Sequence, residues 1–295
     1  MAWLQLRVRS HHPEFAEEIL LAHGAGAVSF VDAADNPVLE PAPGETRLWH
    51  DTLTLGLFAE DVDLSPVVTA LRELLPDGAD ALIDHTRIED RDWVRVWLKD
   101  CPPLKFGERL WVVPREKVAE VTQPQAVILR LDPGLAFGTG THPTTALCLD
   151  WLASQNLTGQ SILDYGCGSG VLAIAALLLG ASRAVGVDID PQALRATRDN
   201  AIENGVADRI RVCLPQDFEA MTADVVVANI LANPLIELAP LLARSVAPGG
   251  RIALAGLLDS QANEVRAAYA PWFDFDADVS HEGWTRITAH RRCAR

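Results

Sequence analysis

Fifteen consecutive residues, Ser161-Ile-Leu-Asp-Tyr-Gly-Cys-Gly-Ser-Gly-Val-Leu-Ala-Ile-Ala175, restrict this chain to few folds. An apolar run ends at Asp164. Glycines follow at alternate positions, Gly166, Gly168 and Gly170, and then an apolar helical run, Val171 to Leu179, stops at Gly180. The pattern predicts a strand, a tight turn and a helix. Glycines belong in such a turn because the backbone must pass close to a ligand and a Cβ would block the approach. The helix then aims its N-terminal N–H groups at whatever occupies the turn. The spacing Gly-x-Gly-x-Gly is not the Gly-x-Gly-x-x-Gly of dinucleotide-binding turns, which argues against a nicotinamide-dependent oxidoreductase.

About 20 residues further on, where a βαβ unit places an acid for ribose hydroxyls, the strand Ala184-Val-Gly-Val187 ends in Asp188. Strand, glycine turn, helix, strand and acidic tip, in that order, predict a site for an adenosine-containing cofactor. The plainer alternative is a βαβ turn in which Asp188 merely caps the next helix.

The remaining pattern extends this unit in both directions. Pro191 to Asn204 reads as a helix, Ile210 to Leu214 as a strand, and Ala223 to Asn229 as a buried strand. Open parallel sheets bind ligands at the C-terminal ends of their strands, so Asn229 is expected beside the glycine turn and Asp188. A helix over Leu235–Leu242, a turn at Pro248-Gly249-Gly250, a strand over Arg251–Ala255 and a helix over Asn263–Tyr269 follow. Phe273–Val279 and Thr285–His290 predict a closing antiparallel pair. Before the unit stand two strand-like runs, Arg109–Val113 and Ala126–Leu131. A dense stretch, Leu131-Asp-Pro-Gly-Leu-Ala-Phe-Gly-Thr-Gly-Thr-His-Pro-Thr-Thr145, then opens a helix at Thr144. Its amides and hydroxyls suit a loop folded over a polar ligand. His142 has the chemistry of a general base, but beside Pro143 at a helix start it reads better as a capping residue.

The first ninety residues predict a separate α+β unit. Strand-like Trp3–Val8, helical Glu14–His23, strand-like Ala27–Asp32 and Leu53–Phe58, a helix opened by Ser65-Pro66, and strand-like Ala81–Ile88 give the order βαββαβ of a ferredoxin-like module. This unit holds five Arg and no Lys against seventeen Asp and Glu, a net charge of −12, whereas the rest of the chain carries −3 of the total of −15. Such a balance argues against direct docking on nucleic acid, whose phosphates require cations; it could steer a basic partner, the plainer alternative being a solvated, solubilising surface. Residues 91–105 read as a connector with Trp93 and Trp97 on one helical face, broken by Pro102-Pro103.

Five scattered cysteines without a Cys-x-x-Cys predict reduced thiols, a cytoplasmic location and no zinc site. No run approaches the ~20 apolar residues of a membrane span, and the N-terminus lacks the features of a signal peptide. Nothing in the sequence demands more than a monomer.

Taken together, Asp132–Thr145, Asp164–Gly170 and Asn229-Ile-Leu-Ala-Asn-Pro234 resemble the motifs of the PrmA family, the methyltransferases of ribosomal protein L11, over essentially the whole chain. The resemblance implies a class I methyltransferase: an α/β, Rossmann-like, mostly parallel sheet over 106–295, with residues 1–90 as an acidic ferredoxin-like substrate-recognition domain. It implies that Thr145, Gly166, Asp188 and Asn229 contact S-adenosyl-L-methionine. It further implies N-methylation of lysine side chains, the N-terminal α-amino group, or both, in L11; another basic protein or a small amine is the alternative. Asn229 is then the candidate catalytic residue, aligning the acceptor amine through its side-chain carbonyl rather than acting as a base. The stretch Asn229-Ile-Leu-Ala232 carries no aromatic to stack a flat ring, which fits an alkyl amine better than a nucleobase.

Overall fold

The structure is a computed structural model that describes residues 2–34, 49, 51–78, 80–89, 101–132, 142–219 and 221–293. The chain divides into two compact units, residues 1–93 and 94–295. Among the described residues no helix is long and apolar enough to cross a membrane.

The first unit runs β1 (Trp3–Arg9), α1 (Pro13–Ala22), β2 (Ala27–Asp32), β3 (Thr52–Ala59), α2 (Ser65–Leu74) and β4 (Leu82–Ile88). Its four strands form one antiparallel sheet in the order β2-β3-β1-β4, the ferredoxin-like arrangement. Alternation decides which face is covered. Leu6 and Val8 of β1 and Phe58 of β3 point inward and pack with Ile19 and Leu20 of α1 and Val67 and Leu71 of α2.

The second unit begins with a small sheet of β5 (Leu104–Phe106), β6 (Leu110–Val113) and β7 (Val127–Arg130). β5 lies inside the stretch expected to be connector. Three residues after a Pro-Pro pair are too few to show alternation, and only pairing with β6 reveals the strand. The expected tryptophan-bearing turn at 92–98 lies outside the described residues.

The main elements follow as α3 (Pro143–Ser154), β8 (Ser161–Tyr165), α4 (Val171–Leu178), β9 (Arg183–Val187), α5 (Pro191–Glu203), β10 (Ile210–Cys213), β11 (Ala223–Asn229), α6 (Ala232–Glu237), α7 (Ala239–Ser245), β12 (Val246–Leu258), α8 (Ala262–Tyr269), β13 (Phe273–Phe275), β14 (Val279–His281) and β15 (Trp284–Arg291). The sheet order is β10-β9-β8-β11-β12-β15-β13, with β14 also on β15. The five strands from β10 to β12 are parallel, and β13, β14 and β15 close the sheet antiparallel. This is the mostly parallel, Rossmann-like sheet expected of a class I methyltransferase.

Three further expectations need correction. The strand read over Phe273–Val279 is two, β13 and β14, each pairing with β15. The single helix read over 235–242 is two helices, because Pro240 has no N–H to continue the ladder across Leu238. The turn at Pro248-Gly249-Gly250 lies within the long strand β12, whose pairing with β11 shifts register between Ala223 and Val225.

Apolar residues cover both faces of the sheet. Ile162, Val225, Val227 and Ala253 pack toward α3, α4 and the small sheet. Leu163, Val226, Ala228, Ile252 and Leu254 pack toward α6, α7 and α8. Burial on both sides explains why β11 reads as a continuous apolar run and not as an alternation. From β8 the strands step one way to β9 and β10, and from β11 the other way to β12. The crevice beyond the C-terminal ends of β8 and β11 is therefore a topological switch point, where open α/β sheets bind ligands.

Candidate active site

A cavity of about 500 Å³ opens at that switch point. Gly166, Cys167 and Gly168 of the glycine turn, Asp188 and Ile189 beyond β9, and Asn229, Ile230 and Leu231 at the tip of β11 line it. Thr145 of α3 lines it too, so the four residues singled out from sequence, Thr145, Gly166, Asp188 and Asn229, meet at one cavity.

The glycine turn is fastened from outside the cavity. The N–H groups of Gly166 and Cys167 both donate to the Val187 carbonyl, at 2.7 and 3.0 Å. On the other side α5 holds it: Thr197 Oγ1 donates to the Gly168 carbonyl at 2.9 Å, and Asn200 Nδ2 to the Ser169 carbonyl at 2.8 Å. Gly166 has φ of +83°, a left-handed conformation that a side chain would strain. The turn thus leaves bare backbone facing the cavity, with the first turn of α4 behind it.

Asp188 does not cap the following helix. That role belongs to Asp190, whose carboxylate accepts the Gln192 N–H at 2.8 Å. Asp188 instead accepts the Gly168 N–H at 2.8 Å on Oδ2 and the Asp190 N–H at 3.0 Å on Oδ1. These bonds fix the carboxylate plane, and each oxygen keeps a further lone pair for a ligand hydroxyl.

Asn229 is half-buried, and its Nδ2 donates to Thr145 Oγ1 at 3.2 Å. The two residues lie 84 positions apart, yet each constrains the other. With one Nδ2 hydrogen engaged and the amide plane thereby oriented, Asn229 Oδ1 is the side chain's acceptor. Beneath the turn, Asp164 at the end of β8 is fully buried. Its Oδ2 accepts the Ala173 N–H at 3.1 Å, while Oδ1 has no hydrogen-bond partner. Burial is the main cause that pushes this carboxyl up to about 7.

His142 is the N-cap of α3: its Nδ1 accepts the Thr144 N–H at 3.3 Å. Desolvation lowers its pKa. Its ring meets Trp284 edge to face, with centroids 5.0 Å apart. Trp284, on β15, and Gly256, on β12, are among the lining residues that sequence reasoning missed. The strand tip carries no aromatic, but the fold brings one to the cavity from 55 positions away, so the absence of a stacking residue from Asn229-Ile-Leu-Ala232 does not bear on the acceptor by itself. Residues 133–141, the centre of the expected covering loop, lie outside the described residues.

The site therefore combines a backbone cradle, a fixed carboxylate and a constrained amide around one crevice. The family model described as ribosomal protein L11 methyltransferase (PrmA) matches residues 2–292. The chain belongs to this family. Relatives of that name from Pseudomonas aeruginosa and Escherichia coli are 53% and 51% identical to it, over 99% of this chain and 99% and 100% of theirs. A crystal structure of ribosomal protein L11 methylase from Lactobacillus delbrueckii subsp. bulgaricus superposes with a TM-score of 0.60 at 31% identity, covering 65% of this chain and all of its own. As a PrmA-family protein, the chain is an S-adenosylmethionine-dependent methyltransferase with a class I fold. For such a donor the cavity offers the left-handed backbone turn at Gly166 and a carboxylate at the second strand tip, both on its lining.

Proposed function

We propose that this chain methylates amino groups of ribosomal protein L11, lysine side chains and the N-terminal α-amino group, as a cytoplasmic monomer whose acidic first unit recognises the substrate. In this reading Thr145, Gly166, Asp188 and Asn229 hold the methyl donor, and Asn229 also aligns the acceptor. The hydrogen bond from Asn229 Nδ2 to Thr145 Oγ1 carries the assignment. It directs the amide carbonyl as an acceptor for a substrate N–H.

When bound, S-adenosylmethionine would supply a methyl group on a sulfonium sulfur: the lone pair of a neutral amine would form the N–CH3 bond in line as the S–CH3 bond breaks and the thioether product leaves. Gly166 lets backbone approach the methionine part, and Asp188 accepts the ribose hydroxyls. The amine must be neutral to react. A lysine of pKa ~10.4 is less than ~0.1% neutral at pH 7, whereas an α-amino group near ~7.7–8.0 is roughly a tenth neutral. A largely apolar cavity lowers the lysine value by desolvation. Asn229 has no basic atom, so the chain contributes alignment and water exclusion.

The reading is tested by incubating the protein with labelled S-adenosylmethionine and purified L11, with intact-mass analysis of the product. Mass gains in steps of one methyl support it. Donor binding without transfer would redirect the search to other basic proteins and small amines. Light scattering of the purified protein at the mass of one chain, 32.0 kDa, checks the monomer.

A further inference from the structure

We propose that Ile230 is a positioning residue, a wedge that sets Asn229 against the glycine turn while Gly256 of β12 backs it. Ile230 directly follows Asn229 and lines the cavity. Its Cγ2 occupies the place that a Cβ on Gly166 would need. On its other side stands Gly256, at φ +85°. A Cβ there would overlap the Ile230 carbonyl oxygen and would lie 2.8 Å from its carbon and 2.9 Å from its nitrogen. The Ile230 N–H also donates to the Ala255 carbonyl at 3.1 Å. The pairing of β12 with β15 shifts register between Leu254 and Leu257, the stretch that holds Gly256.

Ile230 is thus enclosed by two glycines, one in the turn after β8 and one in β12, the two strands that flank β11. Its side chain meets the turn after β8, and its backbone meets β12. A β-branched residue suits this place because its γ-methyl leaves directly from Cβ and its χ1 is restricted. The Asn229 amide, one residue earlier, cannot slide or tilt without moving this wedge. The donor-holding turn and the acceptor-aligning amide are therefore held at a fixed separation. The inference rests on the reading of Asn229 as the residue that aligns the amine.

The test compares Ile230→Val, Ile230→Leu, Gly256→Ala and Asn229→Ala in the full chain. It measures kcat for methyl transfer to L11, Kd for S-adenosylmethionine by calorimetry, and Tm. Gly159→Ala is the control: Gly159 also has positive φ (+75°), but a Cβ there meets nothing within 4 Å. Ile230→Val keeps the γ-branch and is expected to hold kcat within about twofold, as is Gly159→Ala. Ile230→Leu and Gly256→Ala are expected to lower kcat about tenfold or more, with donor Kd within about threefold and with Tm still well above the assay temperature. Full kcat in Ile230→Leu would overturn the inference, as would a kcat loss matched by an equal loss of donor affinity. If Asn229→Ala is inactive while Ile230→Leu is fully active, the wedge alone is refuted. If Asn229→Ala itself keeps full kcat, the reading of Asn229 fails and the wedge falls with it.

Discussion

In the proposed reading, the amide of Asn229 is a neutral side chain placed to serve amine methylation. A carboxylate at this position would hold the acceptor as an ammonium ion, which has no lone pair to give. The amide carbonyl would align the amine without favouring its charged form. Asn229→Asp should therefore lower kcat by about 100-fold near pH 7 while donor affinity stays close to wild type; unchanged or raised turnover would contradict the positioning role. The proposed role of Asp188 calls for the opposite choice, since ribose hydroxyls are donors and bonds to a carboxylate are stronger than bonds to an amide. Asp188→Asn is expected to weaken donor binding about tenfold, because a hydrogen bond to a charged group contributes roughly 1.5–3 kcal/mol. Calorimetric titration with S-adenosylmethionine reads this directly. Asp164 gives a pH signature of its own. Burial raises its pKa to about 7, above the ordinary Asp value of ~3.9, so the native state holds its proton where the unfolded chain has lost it. The stability this proton contributes is complete below the unfolded value and is lost as pH rises through about 7. Asp164→Asn stays neutral throughout. The Tm of the variant minus that of wild type should therefore grow between about pH 5 and 8, and a constant difference would show that Asp164 is ionised in the fold across that range.

At the scale of elements, the legible parts were those whose cause is local. The glycine turn, the acidic tip of β9 and the polar end of β11 each follow from backbone demands within a few residues, so their positions could be read directly from the chain. The parts that were not legible arise from contacts across the sheet. Thr145 and Asn229 were each visible, but not the bond between them. Trp284 and Gly256 reach the cavity only because β15 and β12 lie where the sheet order puts them. The break at Leu238, by contrast, has a local signal, since Pro240 marks it. A cross-element joint of the same kind links α5 to the small sheet. The Asn204 side chain pairs with the Arg130 backbone like a neighbouring strand, accepting its N–H and donating to its carbonyl, both at 2.8 Å. This joint fastens the end of β7 just ahead of Asp132, where the stretch leading to Thr145 begins. Asn204 is buried, so Asn204→Ala leaves two backbone groups unpaired and should cost about 1–3 kcal/mol in urea unfolding. A change within ~0.5 kcal/mol would mean that water replaces the side chain at no cost.

At the scale of the whole molecule, charge and chemistry are divided between the two units. Residues 1–90 carry −12 of the net −15, while the cavity and the four candidate site residues belong to residues 94–295. Each unit has a hydrophobic core of its own, the condition for folding alone. If the first unit draws in a basic protein by its field, the attraction is felt in KM for L11 and not in donor affinity or in the chemical step. Screening shortens to a few Å as salt approaches ~1 M. Raising salt from about 0.05 to 0.5 M should therefore increase KM for L11 several-fold while donor Kd and kcat change little. Removing residues 1–93 should have the same selectivity in a stronger form: the remaining unit binds S-adenosylmethionine with wild-type affinity but no longer methylates L11 at concentrations that saturate the full chain. A truncated protein that methylates L11 with an unchanged KM would place recognition in the catalytic unit and leave the acidic module without that role. A KM indifferent to salt, combined with loss of transfer on truncation, would assign recognition to the shape of the module instead of its charge.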